Sequence, residues 1–276
     1  MTAISPPGEP HVVRGPAGAL AVRVRGDSTK PAVVMTHSIL SSSMMWNEQA
    51  ALLAARGYRV VCVDTRGHGD SECRHDRCTM DDLGADTLAV MDALGIARAH
   101  YVGLSLGGMS GFGLGLRHSE RISSLLLCDA RADAPPAVAA PWDERIAQAI
   151  EARSCAPLAG PTIERWFGKP FVEAKPALAE GLRQVACATS VTGFVACARA
   201  IQGLDYRHVE RIDTAATLIV GRHDGVLPLA MQDLHERMGG SVFEVIDGSG
   251  HLPNIDQPAA FNAAMLRHFE RLQRRD

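Results

Sequence analysis

The segment Gly103-Leu104-Ser105-Leu106-Gly107 constrains the fold of this chain more than any other stretch. It follows an apolar run at residues 99–102 and opens a stretch of small residues with helical spacing. A serine on a sharp turn from strand to helix has a strained backbone, and a glycine two positions away on each side leaves room for that turn. The pattern therefore predicts a strand, a tight turn and a helix, with Ser105 exposed at the tip as in a nucleophile elbow.

Short apolar runs alternate with helical periodicity along most of the chain. We expect the runs to be buried strands of a parallel sheet. The predicted strands are residues 32–35, 59–63, 100–102, 124–128, 216–220 and 242–246, and the predicted helices are residues 45–56, 80–94, 107–117, 229–238 and 259–273. Gly57, Gly95 and Gly239 lie at or just after predicted helix ends, where glycine suits a left-handed cap. This alternation indicates an α/β fold with a mostly parallel, doubly wound sheet.

One long segment interrupts the alternation. Residues 133–211 have helical periodicity and several prolines but no convincing strand. We interpret them as a helical cap inserted into an α/β core that consists of residues 1–132 and 212–276, and we expect the cap to cover the strand ends near Ser105. The proline- and glycine-rich start, up to Gly18, is interpreted as a loosely held lead-in.

The charge balance and the absence of a targeting pattern exclude several classes of partner. Lysine and arginine number 28 against 31 aspartates and glutamates, a formal net charge of −3, so the chain lacks the basic field that attracts nucleic acid. The start has no secretory signal pattern, and no apolar run reaches the length that spans a bilayer. We expect a soluble cytoplasmic protein with a small-molecule substrate and no nucleic-acid or membrane partner; a homo-oligomer stays open.

The seven cysteines are scattered without paired spacing, as expected for free thiols in a reducing compartment. The alternative is a metal site formed by Cys73 and Cys78 with His68 and His75, because these residues lie in one polar loop. A zinc site normally has tighter paired spacing. We therefore expect no metal.

A serine hydroxyl needs a base within hydrogen-bond reach, and that base needs an orienting acid. Asp224 directly follows the predicted strand 216–220, and His251 lies in a glycine-rich loop after the strand 242–246. In such sheets, ligands bind at the carboxyl ends of the strands. The predicted catalytic triad is Ser105, Asp224 and His251.

Other residues compete for these roles. Asp129 also ends a predicted strand and is the alternative acid. His223 is a neighbour of Asp224 and a candidate surface histidine, while His118 and His268 are assigned to helix surfaces.

Two backbone N–H groups are needed to stabilise the oxyanion of a tetrahedral intermediate. Leu106 directly follows the nucleophile, and Ile39 lies in the loop after the first predicted parallel strand, so these two amides are the predicted oxyanion hole. The alternative for His37-Ser38 is an ordinary turn at a strand end.

These motifs resemble those of a known family. The α/β-hydrolase resemblance rests on Asp64-Thr65-Arg66-Gly67-His68-Gly69-Asp70-Ser71, Gly103-Leu104-Ser105-Leu106-Gly107-Gly108-Met109, and Glu120-Arg121-Ile122 before Leu125-Leu126-Leu127-Cys128. A narrower similarity, to the 3-oxoadipate enol-lactonases, rests on Ser38 with Met45-Trp46, Arg165-Trp166-Phe167, Leu182-Arg183, Gly250-His251-Leu252, Asn254 and Gln257-Pro258. The resemblance covers about residues 32–269. It implies a serine hydrolase that opens an enol-lactone ring through an acyl-enzyme in the bacterial catabolism of aromatic acids, with no metal or organic cofactor.

The chain departs from the enol-lactonase pattern in the predicted oxyanion loop. Leu40 stands where that family usually has glycine, and His37 stands where it usually has another polar residue. The stretch Cys128-Asp129-Ala130-Arg131 also differs from the small polar run expected there. These departures concern substrate specificity and leave the elbow and the predicted triad intact.

An enol-lactone substrate carries a carboxylate, which a cationic side chain would bind. Arg131 at the entrance of the predicted cap is the first candidate and Arg66 the second, and a solvated surface arginine is the alternative for each. Trp142 and Trp166 are candidate pocket walls, with core packing as their alternative. A carboxylesterase or a hydrolase of carbon–carbon bonds is the alternative function, and a non-catalytic receptor on the same fold is a third.

Overall fold

An eight-stranded sheet forms the framework of the chain in the computed structural model, which describes residues 8–274. The strands are β1 (Glu9–Gly15), β2 (Gly18–Arg25), β3 (Ala32–Thr36), β4 (Arg59–Val63), β5 (Ala99–Leu104), β6 (Ile122–Cys128), β7 (Ala216–Gly221) and β8 (Val242–Ile246). Their spatial order is β1-β2-β4-β3-β5-β6-β7-β8, in which β2 pairs antiparallel with β1 and β4 and the remaining neighbours are parallel.

The predicted α/β fold is confirmed, and each of the six predicted strands is present. Strands β3 and β7 are buried along their whole length. A strand with both faces covered has no polar positions to alternate with, so it appears in the sequence as a continuous apolar run. The parallel strands end at one edge of the sheet, where Thr36 pairs with Gly103 and Cys128 pairs with Ile219. The loops that follow them therefore meet at that edge.

The predicted loose lead-in up to Gly18 is wrong from Glu9 onward, and residues 1–7 lie outside the described part of the chain. Residues 9–15 form the edge strand β1, which pairs with β2 through a turn that brings Gly15 opposite Gly18. Only one of the seven β1 residues is buried. Because an edge strand exposed in this way can carry Pro10 and charged residues, it lacks the apolar signal on which the prediction depended.

The helices of the described residues connect the strands, and several of them pack against the sheet. They are α1 (Asn47–Ala55), α2 (Met80–Ala93), α3 (Leu106–Arg117), α4 (Pro136–Ala139), α5 (Pro141–Ala152), α6 (Ala156–Phe167), α7 (Lys169–Ala174), α8 (Pro176–Ala188), α9 (Val191–Gln202), α10 (Leu227–Arg237), α11 (Pro253–Asp256) and α12 (Pro258–Gln273). The five predicted helices are present, although residues 43–46 form a 3-10 turn before α1. Gly57 and Gly95 have positive φ as expected, whereas the third such position is Gly240 rather than Gly239, because α10 ends in an extended Met238.

The segment between β6 and β7 contains the six helices α4 to α9, and an isolated antiparallel bridge between Asp133 and Asp205 joins its two ends. Within residues 8–274, no single helix has the length and apolar composition to cross a membrane. Helices α8 and α9 reach that length only together, and the chain bends by 92° between them.

Candidate active site

Ser105 lies at the turn between β5 and α3 with φ 55° and ψ −113°, a backbone conformation that residues other than glycine rarely adopt. Its N–H donates to the carbonyl oxygen of Cys128 at 2.8 Å, which anchors the turn to the neighbouring strand. A Cβ on Gly103 would lie 2.4 Å from the Gly107 oxygen, and a Cβ on Gly107 would lie 2.3 Å from Thr36 Oγ1. The two glycines are therefore required by close approach of the backbone. Strain of this kind, about 1–3 kcal/mol, is typical of functional sites.

The His251 imidazole links Ser105 to Asp224. Its Nε2 lies 2.9 Å from Ser105 Oγ and its Nδ1 lies 2.6 Å from Asp224 Oδ2, and all three side chains are buried. Burial alone would raise the pKa of Asp224, but the charge of His251 and its hydrogen bond hold that pKa below its usual value. An ionised Asp224 accepts from Nδ1–H, which leaves Nε2 free to accept the proton of Ser105.

The loop that carries His251 is fixed by close backbone contacts. A Cβ on Gly221 would lie 1.9 Å from the Gly250 oxygen, and a Cβ on Gly250 would lie 2.0 Å from the Trp166 oxygen. The His251 N–H donates to the same Trp166 oxygen at 2.8 Å. The Trp166 ring is stacked on the imidazole, with centroids 6.1 Å apart. Trp166 is therefore a buried neighbour of His251 and does not line the cleft described below.

The alternative acid and bases occupy other positions. The carboxylate bonded to His251 belongs to Asp224, whereas Asp129 accepts from the Gly221 N–H at 2.8 Å. His223 is exposed and His118 half-buried. The assignment of His268 to a helix surface is wrong: it is buried between Ser124 and Thr217, with which its ring nitrogens form hydrogen bonds of 2.8 and 2.6 Å.

The two predicted oxyanion donors are Leu106, which directly follows Ser105, and Ile39 in the loop after β3. The N–H groups of Ile39 and Leu106 have no hydrogen-bond partner within residues 8–274, as donors reserved for a ligand would require. Ile39 follows β3 and Leu106 follows β5, the neighbouring strands from which the chain proceeds in opposite directions across the sheet. Such a point of reversal is where ligands bind in open α/β sheets.

His37 holds the loop that contains Ile39. Its Nε2 accepts from the Thr65 N–H at 2.9 Å, its Nδ1 lies 2.8 Å from the Ser38 oxygen, and its own carbonyl accepts from the Gly107 N–H at 3.2 Å. Burial lowers the pKa of His37, although the charge of Asp64 and the Ser38 carbonyl oppose that effect. A neutral ring with Nδ1–H satisfies both contacts.

A cleft of about 280 Å³ opens onto Ile39 and Leu40. Its walls include Trp142, Arg145 and Arg165 from the segment between β6 and β7. The Arg145 guanidinium lies 4.8 Å from the centre of the Trp142 ring. Within residues 8–274 neither Arg145 nor Arg165 forms a salt bridge, although Glu144 also lines the cleft and the charge of Asp224 acts on Arg165.

The arginines predicted to bind a carboxylate are engaged elsewhere. Arg131 donates to the Asp133 carbonyl at 2.6 Å and pairs with its carboxylate, and it does not line the cleft. Arg66 is buried in a 2.6 Å ion pair with Asp86. No sequence pattern pointed to Arg145 as a residue of the cleft. Arg165 belongs to the Arg-Trp-Phe stretch that resembles the enol-lactonases, but that resemblance gave it no role in binding a carboxylate.

Three side chains of the type that ligates metals converge at Asp129, Asp224 and His251 and, among residues 8–274, at no other point. His251 Nδ1 and Asp224 are already paired with each other there. The predicted alternative cluster of Cys73, Cys78, His68 and His75 is not brought together in that way.

Comparisons with known proteins agree with this geometry. Residues 33–264 match the alpha/beta hydrolase family. The chain is 33% identical over 249 residues to 3-oxoadipate enol-lactonase 2 of Acinetobacter baylyi, covering 90% of this chain and 91% of that protein. Among solved structures it is similar to a hydrolase from Pseudomonas aeruginosa, with a TM-score of 0.89, 32% identity and coverage of 95% and 98% of the two chains. It is also similar to the enol-lactonase from Burkholderia xenovorans, with a TM-score of 0.87, 31% identity and coverage of 94% and 100%.

The family match spans most of the chain, and the three relatives cover nearly its whole length. The sheet, the turn at Ser105 and the hydrogen-bonded Ser105, His251 and Asp224 all lie within the matched residues. This chain is therefore a member of the α/β-hydrolase family and a hydrolytic enzyme.

Proposed function

We propose that the enzyme is a serine hydrolase that opens a lactone or ester bearing a carboxylate, with an enol-lactone of the 3-oxoadipate type as its substrate. The observation that carries the proposal is the cleft beside Ile39 and Leu40, whose wall contains Arg145 and Arg165, neither of them in a salt bridge within the described chain. The relatives named 3-oxoadipate enol-lactonase support the same substrate class.

In the proposed reaction, Ser105 Oγ attacks the ring carbonyl while His251 Nε2 takes its proton. Asp224 holds Nδ1–H and stabilises the imidazolium. The N–H groups of Ile39 and Leu106 bind the oxyanion, and the imidazolium then protonates the leaving enol oxygen. The acyl-enzyme is hydrolysed by a water that His251 activates, which regenerates Ser105.

The substrate carboxylate would bind between Arg145 and Arg165. Burial lowers the pKa of both Arg145 and Arg165. At Arg165 the charge of Asp224 opposes this shift, and repulsion from Arg145 on the same cleft wall adds to it. A carboxylate relieves this repulsion and can accept hydrogen bonds from either guanidinium. We therefore assign to Arg145 and Arg165 the role that the sequence suggested for Arg131.

Helices α4 to α9 would act as the cap predicted for residues 133–211. They supply Trp142, Arg145 and Arg165 to the cleft and also hold the His251 loop through Trp166. Substrate recognition and orientation of the base would thus depend on the same inserted segment.

The test compares kcat/KM for 3-oxoadipate enol-lactone with that for 4-nitrophenyl acetate, which has no carboxylate. Arg145→Gln and Arg165→Gln are each expected to lower kcat/KM for the enol-lactone about 10- to 100-fold, the cost of a lost hydrogen bond to a charged group. For Arg145→Gln, turnover of the neutral ester should change by less than about threefold. Arg165→Gln also removes a charge that stabilises ionised Asp224, so it should lower turnover of both substrates, and that of the enol-lactone more. Arg56→Gln is the matched control, because Arg56 is exposed after α1, close to the start of β4 and thus at the opposite edge of the sheet.

Equal losses on both substrates would contradict a carboxylate site. Efficient turnover of neutral esters with no turnover of the enol-lactone would instead establish the carboxylesterase alternative.

A further inference from the structure

Asp129 is a second buried acid beside the Ser105, His251 and Asp224 cluster, and the proposed mechanism does not use it. It follows β6 as Asp224 follows β7, and the two strands are neighbours in the sheet. Asp129 is fully buried and has a φ of 45°, in the left-handed region. One oxygen or nitrogen atom from each of Asp129, Asp224 and His251 lies within 4.8 Å of the others.

The two oxygens of Asp129 have different surroundings. Oδ1 accepts from the Gly221 N–H at 2.8 Å, which fixes the carboxyl group against the end of β7. Oδ2 is buried, and no donor within residues 8–274 bonds to it. A buried oxygen without a partner is costly in a folded protein, and the neighbouring acceptor is the Asp224 carboxylate.

Two buried carboxyl groups this close cannot both be ionised without a large electrostatic cost. Burial, and then the charge of Asp224, raise the pKa of Asp129 well above its usual value, and the Gly221 N–H opposes this only in part. Asp224 keeps its charge because His251 and Arg165 stabilise it. The proton shared by the pair therefore resides on Asp129.

We propose that Asp129 is a positioning residue that stays protonated at neutral pH and donates a hydrogen bond from Oδ2 to Asp224, which holds that carboxylate in line with His251. The acid that orients the base would itself be oriented by a second acid. This inference depends on the proposed serine mechanism, in which Asp224 is the acid of the triad.

The titratable groups next to Asp129 are the Cys128 thiol on β6, Asp224 after β7 and His251 after β8. Arg165 on α6 acts on Asp224. Burial and the charge of Asp129 raise the pKa of the Cys128 thiol well above its usual value, so Cys128 stays neutral. Ionisation of Asp129 would place two negative charges beside His251 and would favour its protonated form.

Asp129→Asn and Asp129→Ala separate this role from simple packing. The amide of Asp129→Asn keeps an oxygen for the Gly221 N–H and offers an N–H to Asp224, so it reproduces the protonated acid. We expect it to retain kcat within about threefold and to leave the midpoint of the acid limb of the kcat/KM profile within about 0.3 pH unit. Asp129→Ala removes both hydrogen bonds and should lower kcat about 10- to 100-fold with little change in KM, as expected for a lost hydrogen bond to a charged group.

The same two variants can overturn the proposal. If Asp129 is ionised in the wild type, Asp129→Asn removes a negative charge near His251 and shifts the acid limb to lower pH by about one unit or more. That shift, or an Asp129→Ala enzyme with undiminished kcat, would contradict a protonated positioning residue.

An infrared measurement tests the proton directly and does not depend on activity. At pH 7 the wild type should show the C=O band of a protonated carboxyl group, and Asp129→Asn should lack it. Absence of the band in folded wild type, or its persistence in Asp129→Asn, would overturn the proposal. The kcat of Ser105→Ala tests the serine mechanism separately, so failure of that mechanism can be distinguished from failure of this proposal.

Discussion

The Trp166 carbonyl accepts the backbone N–H of His251 at 2.8 Å, and the Trp166 ring is stacked on the His251 imidazole. These two contacts connect α6, in the segment between β6 and β7, to the side chain that lies between Ser105 and Asp224. They restrain both the backbone and the ring of His251. An imidazole held in this way needs little reorganisation to accept the proton of Ser105.

Replacement of Trp166 should therefore affect the chemical step as well as stability. We expect Trp166→Ala to lower kcat about 10- to 100-fold, as for a misplaced catalytic group, and to destabilise the fold by about 3–5 kcal/mol, as for loss of a buried aromatic ring. Trp166→Phe keeps a ring on the imidazole and should retain most of kcat. A Trp166→Ala enzyme that is less stable but has wild-type kcat at low temperature would show that the stacking serves packing alone.

Leu40 combines a left-handed backbone with a side chain at the cleft. Its φ is 59°, and it is buried at the entrance beside Ile39. Leu40→Gly and Leu40→Ala should both enlarge the cleft, so we expect kcat/KM for bulky 4-nitrophenyl esters to rise about 10-fold relative to the acetate. The two variants should differ in stability.

The left-handed conformation costs a residue with a Cβ about 1–2 kcal/mol. Leu40→Gly should therefore be more stable than Leu40→Ala by about 1 kcal/mol in urea unfolding, the reverse of their usual order. The opposite ranking, with alanine the more stable variant, would show that this backbone position is not strained.

Buried histidines should make the fold sensitive to acid. Burial lowers the pKa of His68 to about 3, with the neighbouring His37 as a further cause, and burial lowers that of His268 to about 3, with Arg271 and His100 as further causes. Their unfolded pKa is about 6.5, so below that pH the unfolded chain binds protons that the folded chain cannot. Their stabilising effect is complete above pH 6.5 and is lost as the pH falls toward 3.

Each such histidine contributes a slope that approaches about 1.4 kcal/mol per pH unit. Urea unfolding between pH 5 and 6.5 should show the combined slope, and His268→Gln should reduce it by one histidine's share. His11→Gln is the control, because His11 lies exposed on β1. An unchanged slope in His268→Gln would contradict a neutral His268 in the folded state.

The accuracy of the sequence predictions depended on how local each signal was. The strands β3 to β8 and the turn at Ser105 were predictable because apolar runs and paired glycines reflect local conformation. Strand β1 was not, because its exposed residues satisfy no apolar pattern. The direction of a side chain is set by tertiary packing, so the sequence could not show that Arg131 pairs with Asp133 while Arg145 and Arg165 face the cleft. The proximity of Asp129 to Asp224 arises from the pairing of β6 with β7 and has no signal in the 94 residues between them.

The central claim is that Ser105 is the nucleophile, and the kcat of Ser105→Ala for 4-nitrophenyl acetate tests it most directly. We expect a loss of at least about 10⁴-fold with the melting temperature preserved, since removal of a triad nucleophile leaves only the oxyanion donors and substrate binding. Ser110→Ala is the matched control, because Ser110 is also a buried serine and lies on α3, the helix that follows Ser105. This variant should keep kcat within about threefold. A folded Ser105→Ala enzyme that retains more than about a tenth of wild-type kcat would contradict the account.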